Sequence, residues 1–270
     1  MRKISFPLFF AIFIAQIGYN TPIIATEKII LVEEGEWPPY TYESSGAPTK
    51  GVSFELVTEI FHRLNKPFTI NLLPMKRCIF ELTTGDCDAI TMLSRNNERE
   101  EFLVFTHPIV ESKGFVYYDS YRHPKFEWNS FADLQPYTIG TVSGYNYGSD
   151  FEDICRRYKL KTERVSRIDQ NFRKLLAGRI DILLVNQTEV NEFMRTHPQY
   201  RSRIRSAGTP YHVYSYHMAF SKKSRHLDLI PKINRVITDM KNDGTADRIL
   251  SKYIHSLLSH RNCRINEKCY

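Results

Sequence analysis

Apolar positions along the chain alternate between short continuous runs and stripes at helical spacing. Lys28–Val32 and Phe68–Leu73 are short runs of the buried-strand type. Between them, Ser53–Leu64 places Phe54, Val57, Ile60, Phe61 and Leu64 on one helical face, with Ser53 as the expected N-cap and Pro67 beyond the end. Met75–Thr84 reads as a helix closed by Gly85, and Cys87–Met92 as another strand. This strand–helix–strand order predicts an open, largely parallel sheet covered by helices.

A second set follows: strand Tyr137–Val142, a helix around Asn146–Tyr158, strand Thr162–Val165, helix Ile168–Ala177, strand Ile180–Val185 and helix Gln187–Arg195. Two extended aromatic stretches, Gly114–Tyr118 and Val213–Phe220, flank it and read as connectors. The chain closes with helices Leu227–Lys241 and Thr245–Leu258, separated by the turn Asn242-Asp243-Gly244. If both connectors are hinges, residues 26–115 and 219–270 form one discontinuous lobe and residues 116–218 an inserted second one. Ligands of open α/β sheets lie beyond the carboxyl ends of the strands, here in a cleft between lobes that a hinge motion can close.

The N-terminus changes the picture of where this fold works. Arg2 and Lys3 precede the apolar run Ile4–Ile17, which is too short to span as a stable transmembrane helix, and Ala25 marks the expected cleavage point. Residues 1–25 therefore read as a signal peptide, and the remainder as an exported, soluble, monomeric periplasmic protein. The formal net charge is +7, and removing Arg2 and Lys3 lowers it by two. The basic residues are scattered apart from Arg201, Arg203 and Arg205, which argues against nucleic-acid binding.

Five cysteines in an exported chain predict disulfides with one thiol left over. The short brackets suggest Cys78–Cys87 and Cys263–Cys269, leaving Cys155 free, although other pairings are open. No Cys/His spacing matches a zinc site, and no cofactor is implied.

Candidate chemistry concentrates in Asp88–Thr106. An apolar strand there ends in a polar turn carrying Ser94 and Arg99, and Phe102 and Phe105 then return to an apolar pattern. A hydroxyl and a guanidinium fork at a strand end suit a carboxylate. Arg77 begins a helix, where a cation opposes the dipole, so either a ligand anion or a nearby Glu should compensate it. Trp37, before Pro38-Pro39, either contacts a ligand or caps the core. Glu33 and Glu34 read as solvated, Gln187 and Glu189 as surface residues, Tyr214 and Tyr216 as hinge packing, and His217 as a satisfied polar residue.

Gly35-Glu36-Trp37-Pro38-Pro39-Tyr40, Gly51-Val52-Ser53-Phe54-Glu55-Leu56, Gly85-Asp86-Cys87-Asp88-Ala89-Ile90, Glu98-Arg99, Gly178-Arg179-Ile180-Asp181 and Met240–Thr245 occur in this order at characteristic separations. In this the chain resembles the bacterial extracellular solute-binding proteins of family 3, which serve polar amino-acid ABC importers. The resemblance covers nearly all of the chain after residue 25. It implies the type II periplasmic binding fold: α/β, two-lobed, each lobe a mostly parallel sheet flanked by helices, with two hinge segments.

The resemblance also implies site roles. An aromatic stands at Trp37 to sandwich the ligand, and Ser94 with Arg99 take its carboxylate. Gly144 and Tyr145 stand at a lobe-2 helix start whose N–H groups favour an anion. Asn186 stands where the family has an acid for the ligand ammonium. Three residues depart from the pattern: Met92 replaces a polar group, Tyr145 a small hydroxyl residue and Asn186 a carboxylate.

The implied function is capture of a small carboxylate-bearing solute, an amino acid or a relative, for an inner-membrane permease. An enzyme on the same fold, similar to cyclohexadienyl dehydratase, would want a general acid over the substrate, and a membrane-coupled sensor would use the same closure.

Overall fold

Strand β1 (Ile29–Glu34) is the first element of the computed structural model, which describes residues 28–148 and 150–254. A hairpin of β2 (Tyr42–Ser44) and β3 (Ala47–Lys50) follows. It leads into α1 (Val52–Arg63), β4 (Phe68–Leu73), α2 (Met75–Thr84), β5 (Ala89–Ser94) and the single-turn α3 (Asn97–Glu100). The 17-residue strand β6 (Leu103–Asp119) then carries the chain into β7 (Thr138–Val142), α4 (Phe151–Tyr158), β8 (Lys161–Val165), α5 (Ile168–Leu176), β9 (Ile182–Asn186) and α6 (Gln187–Thr196). The 18-residue strand β10 (Ile204–Ser221) returns it to α7 (Ile230–Asn242) and α8 (Thr245–Tyr253).

The strands form one curled eight-stranded sheet in the order β4-β1-β5-β10-β6-β9-β7-β8. At one end β1 pairs in parallel with β4 and β5, and at the other β7 pairs in parallel with β8 and β9. The two predicted connectors fall in the later halves of β6 and β10, which run antiparallel to each other through both sets. Strand β10 joins β5 through residues 216–220, whereas β6 joins β9 through residues 114–118. Register shifts fall between Ala207 and His212 and on both sides of His217. Burial of strands on both faces explains why they read as unbroken apolar runs.

One buried cluster gathers Leu31, Leu56, Ile60, Phe61, Phe220 and Ile233 under α1 and α7. Another gathers Trp128, Leu134, Ile139, Phe151 and Leu184 around β7 and β9. No helix among the described residues is long and apolar enough to cross a membrane. The expected signal segment, residues 1–25, lies outside the described residues, as do Cys263 and Cys269.

Three local expectations are corrected. Gly51, not Ser53, caps α1: its φ is +126°, and a Cβ there would lie 2.2 Å from the Tyr40 carbonyl oxygen. Ser53 instead sits in the first turn and donates its hydroxyl to buried Glu33. The helix expected from Asn146 begins at Phe151, because Gly144 (φ +85°) and Gly148 (φ +111°) hold the preceding segment in a non-helical turn. Cys78 and Cys87 are not bridged: both are buried free thiols, and Cys78 Sγ lies 3.7 Å from the Leu73 carbonyl oxygen, to which it donates. Cys155 is free, as expected.

Candidate functional site

The end of β5 and the short α3 build one wall. Asn96 caps α3, its Oδ1 accepting the Arg99 N–H at 2.9 Å, and Glu98 in the first turn suits the helix dipole. This turn carries the Arg99 side chain inward, where the residue is 6% exposed. Its Nη1 donates to the Ser94 carbonyl at 2.5 Å and to Ser94 Oγ at 2.9 Å, and Nη2 donates to the Gly144 carbonyl at 2.7 Å. No carboxylate among the described residues forms an ion pair with it. Burial pulls the guanidinium down to about 10, so it stays charged at neutral pH.

Trp37 closes a tight turn by exchanging backbone hydrogen bonds with Thr41 at 2.9 Å. Its ring packs on Tyr40, with centroids 4.2 Å apart, and edge-on to Tyr216. Its indole Nε1 donates to Glu189 Oε1 at 2.5 Å. Tyr145 donates its hydroxyl to the same oxygen at 3.3 Å.

The residues Trp37, Met75, Met92, Leu93, Ser94, Arg99, Gly144–Tyr147, Leu184–Asn186, Glu189, Tyr214 and Tyr216 line one narrow cavity of ≈ 30 Å³. Six of the seven expected site residues are among them: Trp37, Ser94, Arg99, Gly144, Tyr145 and Asn186. Arg77 is not. It is half-exposed, paired with Glu81 at 3.0 Å and stacked over Phe80, so the nearby Glu compensates it at the helix start.

Two expected roles change. Gly144 presents its carbonyl to Arg99 rather than an N–H at a helix start, and a Cβ on it would press on Met75 Cγ at 3.1 Å and Lys76 N at 3.2 Å. Asn186 caps α6: its Oδ1 accepts the Glu189 N–H at 2.9 Å, and its Nδ2 donates to Glu189 Oε2 at 2.6 Å and to the Tyr216 hydroxyl at 3.1 Å. That amide already serves the helix end, and the acid of the cavity is Glu189, one turn on.

Glu189 is buried, as are Glu33 and Glu34, contrary to the solvated reading. Desolvation pushes the Glu189 carboxyl up to about 7, against its donors Trp37, Tyr145 and Asn186. Desolvation first, and then the charge of Glu189, push Glu34 well above the usual carboxylate range. Glu34 Oε2 has no hydrogen-bond partner. Glu33 rises to about 8 through burial, opposed by Ser53 and Thr41. Tyr214 and Tyr216 line the cavity as well as packing the long strands. The clue to Glu189 in the sequence was its spacing: Asn-x-x-Glu at a strand end is a capping-box pattern that points the acid back toward the helix start.

A second groove runs between α6, β10 and the end of α8 and holds Arg195, Arg201 and Arg205. Its acid, Glu192, is already bound by Arg195 and by Tyr42, so no uncompensated buried charge faces it.

The sequence profile of the bacterial extracellular solute-binding proteins, family 3, matches residues 29–256. The chain belongs to this family. It is 22% identical over 223 residues to a probable amino-acid-binding protein of Bacillus subtilis, YxeM, covering 82% of this chain and 81% of that one. It is 25% identical over 232 residues to the ABC transporter arginine-binding protein 1 of Escherichia coli, covering 85% and 91%. An ancestral arginine-binding protein bound to arginine has the same fold, with a TM-score of 0.73, 19% identity and coverage of 84% and 97%. Membership of family 3 makes this chain a solute-binding protein with the type II periplasmic binding fold.

Proposed function

We propose that the chain captures a small carboxylate-bearing solute, an amino acid or a close relative, in the cavity at Arg99. Arg99 carries the reading. It is a buried cation without an ionic partner, and its neighbours are two carbonyls and a hydroxyl. Burying a charge without a counter-charge is costly, and a bidentate carboxylate is the group that fits a guanidinium fork. Ser94 Oγ beside it supplies a second polar contact.

The residues 26–115 and 219–270 act as one lobe and 116–218 as the other, hinged within the later halves of β6 and β10. Contacts already join the two parts across the cavity: Arg99 to Gly144, Trp37 to Glu189, and Asn146 Nδ2 to the Arg95 carbonyl at 3.2 Å. The protein works as an exported periplasmic monomer, after loss of residues 1–25, and delivers its solute to an ABC permease. The relatives' printed roles as amino-acid- and arginine-binding proteins support this direction.

A thermal-shift screen of amino acids, dicarboxylates, aromatic acids and short peptides tests it, since a ligand bound only by the folded state raises the melting temperature. A stabilising carboxylate whose effect vanishes in Arg99→Ala is expected. Binding retained in that variant refutes the carboxylate clamp, turnover of prephenate or arogenate establishes an enzyme instead, and association with a membrane kinase rather than a permease establishes a sensor.

A further inference from the structure

Positive charge gathers at one edge of the fold. Residues 152–179 carry nine cations against four acids, Glu152, Asp153, Glu163 and Asp169, in a chain whose formal net charge is +7. The stretch runs from α4 through β8 and α5, and β8 is the edge strand, bonded to β7. All four acids are in use. Glu152 pairs with Arg164, Asp153 with Arg156, Glu163 with Lys174, and Asp169 with both Arg167 and Arg173. Arg157, Lys159, Lys161 and Arg179 are exposed and form no ion pair among the described residues. Arg164, Arg173, Lys174 and Arg179 line one concavity of ≈ 640 Å³ whose walls carry no carboxylate. Arg122 joins them from another segment: a Cβ on Gly178 would lie 1.6 Å from its Nη1.

The structure assigns this basic edge of residues 116–218 as a docking surface for an anionic phospholipid bilayer. The assignment rests on the reading of the chain as an exported protein that serves a membrane permease. Charge on an edge strand also deters pairing with a foreign strand, but that task needs cations on β8 alone, not on α4, α5 and the turn after it. A protein partner would want an apolar anchor, since the centre of such an interface is depleted in charge. The large apolar side chains exposed among the described residues are Ile30, Phe80, Tyr121 and Val213, none of them in this stretch. A charged lipid surface asks only for cations in number, each contributing about fivefold to partitioning.

Sedimentation with vesicles tests the assignment, using phosphatidylglycerol mixed with phosphatidylcholine against phosphatidylcholine alone. The exported form, residues 26–270, should pellet with the anionic vesicles at low salt. It should be released at about 1 M salt, where the screening length shrinks to about 3 Å. Neutralising the four unpaired cations together (Arg157→Gln, Lys159→Asn, Lys161→Gln and Arg179→Gln) should lower partitioning by more than about a hundredfold. Asn suits the left-handed backbone at Lys159, whose φ is +52°. Removing the same charge from the other lobe (Lys28→Gln, Lys66→Gln, Lys232→Gln and Arg235→Gln) should lower it by about fivefold at most. None of the eight residues lines the Arg99 cavity, so both variants should keep the parent's melting temperature and solute affinity.

Vesicle binding retained by the first variant, or lost equally in both, overturns the assignment. So does equal binding to phosphatidylcholine alone. Competition by inorganic phosphate at constant ionic strength would make the concavity a site for a free anion and reject the bilayer. Solute binding without vesicle binding refutes only this surface. Vesicle binding without any carboxylate ligand refutes the solute reading and leaves the surface standing.

Discussion

Asn186 grips Glu189 from both sides, its Oδ1 accepting the Glu189 backbone N–H at 2.9 Å and its Nδ2 donating to Oε2 of the same residue at 2.6 Å. One amide thus caps α6 and fixes the carboxylate of the cavity. The two tasks can be separated by substitution. Asn186→Ala loses both, and should cost about 1 kcal/mol for the cap and about 1–3 kcal/mol for the undersatisfied carboxylate. Asn186→Asp keeps a good cap but removes the donor and sets a second anion against Glu189. Its stability should match the parent near pH 5, where Glu189 is protonated and can donate to the new carboxylate, and fall below it at pH 8. Urea unfolding at the two pH values checks this; an equal deficit at both would show that capping alone is at stake.

Buried acids also set the pH dependence of the whole fold. Burial raises Glu33 to about 8 and Glu189 to about 7, both from 4.5. Between the unfolded value and these folded values, the folded chain binds more protons than the unfolded chain. Stability therefore falls as pH rises through that window, from about 5 to about 8, and levels off above it. Glu33→Gln keeps the hydrogen bond with Ser53 without the ionisable group. It should flatten the slope and make the variant more stable than the parent at pH 8, by a few kcal/mol at most. Melting temperatures across this range decide it, and a parent that grows more stable toward pH 8 contradicts the assignment.

At Arg99 the fork itself is at stake, more than the charge. Arg99→Lys keeps a cation at the position but cannot hold Ser94, Gly144 and a bidentate carboxylate together. Affinity for the best carboxylate solute should fall by about a hundredfold in Arg99→Lys and further in Arg99→Ala, corresponding to about 3 kcal/mol for a buried charge-assisted pair. Titration calorimetry reads this directly. Lysine restoring most of the affinity would mean that the site senses net charge and not geometry.

The fold was legible because its signals are local. Phe68–Leu73 and Met75–Thr84 stand where periodicity and Gly85 place them. The long strands β6 and β10 were visible only in their later halves, because polar residues such as His107 and Glu111 break the apolar pattern of the earlier half of β6. The site was legible where one turn supplies both groups, as with Ser94 and Arg99. It was obscured where partners come from distant segments. Glu189 meets Trp37 from 152 positions away, and no spacing along one chain reports that contact. Charged residues read as solvated by default, so Glu33, Glu34 and Glu189 read as solvated or surface residues although the fold buries them.

Thiol chemistry offers a direct check on the unbridged cysteines. Burial raises Cys78 far above its usual range, Cys87 to about 12 and Cys155 to about 11. Of these three, a thiol-specific reagent at pH 8 should attack Cys155 first and reach Cys78 and Cys87 only on unfolding. If Cys78 and Cys87 remain silent in denaturant until a reductant is added, they are bridged after all.

Tyr42 and Glu192 meet outside the cavity, across the boundary between residues 26–115 and 116–218. The phenol donates to Glu192 Oε1 at 2.6 Å, and Arg195 holds both oxygens of the same carboxylate at 2.7 Å. If the two parts close on the solute as proposed, this contact should strengthen every ligand equally, because it favours the closed form whatever the cavity contains. Tyr42→Phe removes one hydrogen bond to a charged, partly shielded acceptor, worth about 1 kcal/mol, and should weaken all bound solutes by the same factor of about five. Its signature is uniformity. Variants of Arg99 should change the ranking of solutes, whereas Tyr42→Phe should preserve it, and a reordered ranking would place Tyr42 in recognition instead of closure.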